Sequence, residues 1–129
     1  MDKRILISAA ILAIIAIVLG AFGAHKLKEL LPEQSLNSFE TGVKYQMYHV
    51  FLLLFLGNFS KITKSVKKKV YQLTMVGLLF FSGSIYLLST SSITSVDFSV
   101  IGVITPIGGV LLIIAWGVLL RSFINLKAD

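Results

Sequence analysis

Cysteine is absent from the 129 residues, which removes disulfides, thiolate metal ligands, thiol nucleophiles and cysteine-linked lipid anchors. Charge is scarce as well, at 14% of the chain with only six acids. Histidine occurs twice, at His25 and His49, without His-x-x-x-His or Glu-x-x-His spacing, so a metal centre is the weakest reading of these residues. Ser82, Ser84 and the cluster from Ser89 to Ser95 lack the Gly-x-Ser-x-Gly elbow of a serine nucleophile, and serines within apolar helices usually bond back to their own helix. No catalytic residue, metal or cofactor is expected. A nucleic-acid role is disfavoured too, because the basic residues carry no binding motif or interleaved aromatics.

What fills the chain instead is apolar. Hydrophobic residues make up 56% and the mean hydropathy is +0.89, far from the composition of a soluble domain. The length suits one domain of several membrane-spanning helices, each of about 20 residues.

Four apolar stretches follow in order. Ile5 to Ala24 is uncharged and about 30 Å long as a helix. Its basic start resembles a secretory signal, but the run is longer than a signal core, and it is expected to stay as a span. Tyr45 to Phe59 lacks Lys, Arg, Asp and Glu, and a helix there can begin near Asn37, which has capping-box spacing to Glu40. Val70 to about Leu88 reads as the third span, ended by the Ser/Thr cluster. Phe98 to Leu120 is the fourth, with Thr105 and Pro106 in the pattern of an N-cap followed by proline at the first helical position. Pro106 either starts or kinks that helix; a start is preferred, with Val100 to Ile104 extended or re-entrant before it. The expected spans are 5–24, 43–59, 70–88 and 100–120 in one all-α transmembrane domain covering 1–129.

Four spans place the N-terminus, the 60–69 connection and the C-terminus on one side. Nine basic residues lie there, against Lys26, Lys28 and Lys44 opposite. The positive-inside rule then puts both termini in the cytoplasm, in a bacterial cytoplasmic membrane. Lys61, Lys64, Lys67, Lys68 and Lys69, with no acid among them, suit anionic lipid headgroups as well as topology. Trp116 is placed as an anchor in the cytoplasmic interfacial belt, and Leu27, Leu30 and Leu31 before Pro32 as an interfacial turn.

Small residues mark the expected contacts between helices, since lipid provides no hydrophobic drive to associate. Ala9, Ala13, Ala16, Gly20 and Ala24 share one face of the first helix. Gly23 lies beside that stripe. The third helix offers Gly77, Gly83 and Ser84, and the fourth offers Gly109 and Gly117. They serve packing within the chain or a homo-oligomer.

Polar residues gather towards the outer side. Thr41 or Gly42, Tyr45, His49 and Leu52 or Leu53 share a helical face, and Glu40 and Lys44 have pairing distance. His49 should face inward and bond to Tyr45, Gln46, Tyr86 or a backbone carbonyl, because an imidazole facing lipid is costly. His25, Glu40, Tyr45, Gln46, Tyr48, His49 and Tyr86 form the candidate ligand-binding cluster. Two readings stand: a clasp holding the first two helices in register, and a ligand pocket or proton relay. Asp97 caps or solvates the outer connection.

With these residues in view, the chain resembles the small membrane proteins of domain of unknown function family 423, which includes transmembrane protein 256. The resemblance covers nearly the whole chain. It rests on Gly20-Ala21-Phe22-Gly23-Ala24-His25, the run from Glu40 to His49, Phe81-Ser82-Gly83-Ser84-Ile85-Tyr86, and Thr105-Pro106-Ile107-Gly108-Gly109 with Trp116. The stretch from Ser89 to Ser99 departs from it, being longer than the expected connection. The resemblance implies an inner-membrane arrangement of about four helices, disfavours signal cleavage, and implies no reaction. The leading functional expectation is a non-enzymatic membrane protein, packing as a small oligomeric bundle, that binds a lipid or a partner membrane protein at the outer polar cluster. The alternative is an oligomeric transporter or channel component for a small solute, proton or lipid; a membrane-embedded hydrolase or transferase comes third.

Overall fold

The computed structural model describes residues 2–97 and 99–127, and among these the fold is all-helical, with no strand. Four long helices are seen: α1 (Asp2–Leu30), α2 (Glu33–Asn58), α3 (Lys64–Ser89) and α4 (Ser99–Ile124). α1 and α4 are apolar around their whole circumference, and Ile7, Ile14, Ile17, Ile113 and Ile124 remain exposed. Such a surface is stable against hydrocarbon rather than water. By length and composition α1, α3 and α4 are able to cross a membrane. α2 is not among them, because Lys44, Gln46 and His49 interrupt its apolar run.

The helix boundaries follow local chemistry. Leu31 is extended (φ −104°, ψ 146°) before Pro32, which lacks an amide to continue α1. α2 begins at Glu33, so Asn37 and Glu40 lie inside the helix and form no cap; Thr41 Oγ1 donates instead to the Asn37 carbonyl at 3.0 Å. At the start of α3, Thr63 Oγ1 accepts the Val66 amide at 3.3 Å. The residues expected to run extended before Pro106 form a 3₁₀ turn, Ser99–Val103, that leads directly into α-helix at Ile104. Pro106 therefore lies in the first α turn, where proline is tolerated. Thr105 is one residue inside the helix and caps nothing; Val103 holds the cap position without a side-chain bond. Phe98, taken as the start of this apolar stretch, lies outside the described residues.

α1 packs along α2, α3 packs along α4, and α2 joins the pairs by contacting α3. The main core gathers Ile5 and Ala9 with Leu53, Leu56, Val70, Ala115 and Leu119. A second cluster at the other end holds Leu27, Leu31 and Phe39. The turn before Pro32 is thus docked into the protein by Leu27 and Leu31, and of its three leucines only Leu30 is exposed.

The small-residue stripe of α1 is partly used. Ala9 and Ala16 are buried and Ala13 is half-buried, while Gly20 faces Val43 and Gly23 meets the Phe39 ring. Ala24 is exposed. The buried face continues instead through Gly23 and Leu27, which bound a π turn. The closest helix approach is at Gly108, where a Cβ would run into the backbone of Gly77, Phe80 and Phe81. Opposite, Gly77 faces Leu112. Gly109 makes ordinary contact with Phe81, whereas Gly83 has only Leu79 near and Gly117 faces open space.

Candidate functional site

Beyond their contact near Ser8 and Tyr71, whose hydroxyls share a 2.7 Å hydrogen bond, α1 and α3 leave a groove between them. It has a volume of about 370 Å³. Leu12 and Ile15 form one wall, Met75, Val76 and Leu79 the other. Its floor is polar: Gln46 from α2 and Ser82 and Tyr86 from α3.

The local sequence explains how α3 aims those two groups. Val70, Thr74, Leu78, Ser82 and Tyr86 recur every four residues, a spacing that would drift around a regular 3.6-residue helix. The π turn Leu79–Gly83 takes up the drift by inserting an extra residue in one turn. Ser82 Oγ then donates to the Gly42 carbonyl at 2.8 Å, and Tyr86 Oη donates to Gln46 Oε1 at 2.7 Å. Gln46 Nε2 donates in turn to the Leu12 carbonyl at 2.7 Å, so one amide joins three helices. Gly42 makes the approach possible, since a Cβ there would lie 2.8 Å from the Tyr86 ring. Gln46 and Ser82 are 4% and 2% exposed, as expected of amide and hydroxyl groups that would otherwise face hydrocarbon unpaired.

His49 occupies a different face of α2. Its Nε2 accepts from Trp116 Nε1 at 3.1 Å, and since indole only donates, the ring proton belongs on Nδ1, which donates to the Tyr45 carbonyl at 2.7 Å. Both nitrogens of the neutral ring are thereby occupied. The expected backbone partner is found, but Trp116 is a clasp onto α2 rather than solely an interfacial anchor. The inward face of α2 runs through Gly42, Gln46, His49 and Leu53, and Tyr45 stands outside it, exposed and packed on Phe81 and Tyr48.

The other members of the sequence-derived cluster are dispersed. Tyr48 and Glu40 are exposed, as are His25 and Lys44. With Gly20 against Val43 and Leu6 against Gly57, His25 is level with the first turns of α2, whereas His49 is level with Ile14. The two histidines are on the order of 17 Å apart along the axis at 1.5 Å per residue. Among the described residues no group of three His, Cys, Asp or Glu could hold a metal.

Ser84 and Thr105 join the Ser89 end of α3 to the start of α4 through their hydroxyls, and Ser84 also donates to the Phe80 carbonyl. Beside them lies a second cavity of about 510 Å³, lined by Gln34, Ser35, Ser38, Ser89, Thr105 and others. Asp97 caps the turn that opens α4: the Ser99 amide, donating to Oδ1 at 2.9 Å, holds its carboxyl below the usual range. At the opposite end Lys67 is buried and pairs with Asp2 at 3.2 Å, while Lys61, Lys64, Lys68 and Lys69 are exposed.

Sequence reasoning did not connect Ser82 with Gly42, Gln46 with Leu12, or Trp116 with His49. The available signal was spacing: Ser82 and Tyr86, like Gly42 and Gln46, stand four apart on one helical face.

Comparison with known proteins bears on this arrangement. The family described as Protein of unknown function (DUF423) matches residues 19–109. The chain is similar to the UPF0382 membrane protein YwdK of Bacillus subtilis, with 42% identity over 117 residues, 88% of this chain and 90% of that protein. It is 40% identical over 117 residues to a UPF0382 membrane protein of Staphylococcus epidermidis, covering 91% of this chain and 92% of the relative. A UPF0382 membrane protein of Haemophilus influenzae is 33% identical over 116 residues, covering 90% of each. No solved structure matches significantly.

Proposed function

The chain belongs to the DUF423 family, whose relatives are named UPF0382 membrane proteins, and on that premise we propose that it is a non-enzymatic, lipid-binding protein of the cell membrane. In this reading 1–129 forms one domain of four spans with both termini in the cytoplasm. α2 crosses as well, because Gln46 and His49 in its middle face partners rather than lipid and its outward face carries Tyr48, Phe51 and Phe55. The basic residues at the α2–α3 connection and near both termini favour this orientation.

The observation that carries the functional reading is the groove between α1 and α3. Its apolar walls end on three hydrogen-bonded polar side chains, the combination typical of a site that holds a mostly apolar ligand in one orientation. Its volume lies within the roughly 300–1,000 Å³ range of small-molecule sites. An acyl or similar chain lies along Ile15, Val76 and Leu79, with its polar end towards Gln46, Ser82 and Tyr86. Lipid binding is preferred to transport because both His49 nitrogens are engaged and Tyr45 and Tyr48 face outward rather than lining a path.

Native mass spectrometry of protein released from nanodiscs tests this. Wild type and Tyr45→Phe are expected to retain lipid that Gln46→Leu loses, at unchanged thermal stability of Tyr45→Phe. A lipid-free wild type, or retention equal in all three, overturns the reading.

A further inference from the structure

The groove's own chemistry limits what kind of lipid it accepts. Of its lining residues, none is Asp, Glu, Lys, Arg or His. The polar floor consists of one amide and two hydroxyls, and their internal bonds leave a definite remainder. Gln46 Nε2 spends one N–H on the Leu12 carbonyl and keeps a second. Ser82 and Tyr86 spend their protons on Gly42 and Gln46, so towards a ligand each offers only oxygen lone pairs. What is left is one neutral donor and two neutral acceptors beside an apolar channel.

Resting on the lipid-binding reading, we infer that the groove selects a long-chain lipid whose polar end is uncharged, an alcohol or a carbonyl, over a fatty carboxylate or an anionic phospholipid. A carbonyl oxygen accepts the free Gln46 N–H. A hydroxyl does this and also donates to Ser82 or Tyr86. A carboxylate or phosphate has no cation here to pair with, and desolvating an unpaired ion costs far more than a neutral group. The basic residues that would attract an anionic headgroup instead concentrate at the Lys61 to Lys69 segment, beyond the Ser8–Tyr71 contact that closes the groove on that side.

The experiment is photocrosslinking in nanodiscs with three probes bearing the same diazirine chain: a fatty alcohol, the corresponding fatty acid at alkaline pH, and a phosphatidylglycerol. Adducts are mapped by peptide mass spectrometry. The alcohol is expected to label Ile15, Val76 or Leu79 at least about tenfold more than either charged probe. Ser82→Ala, which keeps the Gln46 network, should lower alcohol labelling by about fivefold, one hydrogen bond's worth. Groove labelling by charged probes equal to the alcohol overturns the selectivity while leaving lipid binding in place. Labelling by none of the three at these residues overturns both.

Discussion

Trp116 Nε1 donates to His49 Nε2 at 3.1 Å, across 67 positions of sequence, and this bond ties α4 to α2. The ring planes meet edge-on, 71° apart with centroids at 6.1 Å. Since Trp116 is the chain's single tryptophan, its emission reports the contact directly. His49→Phe should shift that emission and cost about 1 kcal/mol of stability by leaving the indole N–H unpaired. Tyr48→Phe, on the exposed face, should do neither. Unchanged emission in His49→Phe would show that the bond is absent in the membrane.

The ion pair between Lys67 and Asp2 is asymmetric, with side chains 5% and 55% exposed. Asp2→Asn leaves a buried ammonium without its anion, whereas Lys67→Met removes the charge that needs one. The first should therefore destabilise more than the second, by about 1 kcal/mol once solvent screening at Asp2 is allowed for. Thermal unfolding in detergent measures both, and the reverse order would refute the assignment.

Gly108 and Gly117 sit on the same helix in opposite situations. Gly108→Ala forces α4 away from the α3 backbone and should cost roughly 1–3 kcal/mol, as overpacked sites do. Gly117→Ala meets nothing within 4 Å and should be neutral or slightly stabilising through helix propensity. Equal melting temperatures for the two variants would contradict the crossing at Gly108.

Thr74 is fully buried, and its hydroxyl has no hydrogen-bond partner among the described residues. Thr74→Val exchanges that hydroxyl for a methyl of similar size and should leave stability unchanged or raise it by up to about 1 kcal/mol. A loss of stability in the same denaturation series would show that the hydroxyl is bonded in the native protein.

The proposed orientation is checked by cysteine labelling, for which a chain without native cysteine is well suited. Cysteine replacing Glu33, at the start of α2, should react with an impermeant reagent added outside intact cells. Cysteine replacing Ser65, at the start of α3, should react only after permeabilisation. Reversed labelling would overturn the proposed topology.

The sequence by itself determined the class of the molecule and the positions of its breaks. Uncharged apolar runs exclude a water-soluble core, Pro32 ends α1, and the Ser/Thr cluster ends α3, because these are local properties of chain and side chain. The resemblance to family 423 was legible for the same reason: its motifs are contiguous residues. Only the tertiary structure decided which faces meet. In hydrocarbon an isoleucine gains little by turning inward, so apolar periodicity, which orients a helix in a soluble protein, does not choose a face here. Gln46 rather than Tyr45 turns inward because Gly42 admits the Tyr86 ring one turn away and the Leu12 carbonyl waits across the interface. The π turn at Leu79–Gly83 keeps Ser82 and Tyr86 on the side of α3 that meets α2, a register that apolar spacing alone does not reveal. Pairings such as Trp116 with His49 and Lys67 with Asp2 depend on two helices at once, and no spacing within one helix encodes them.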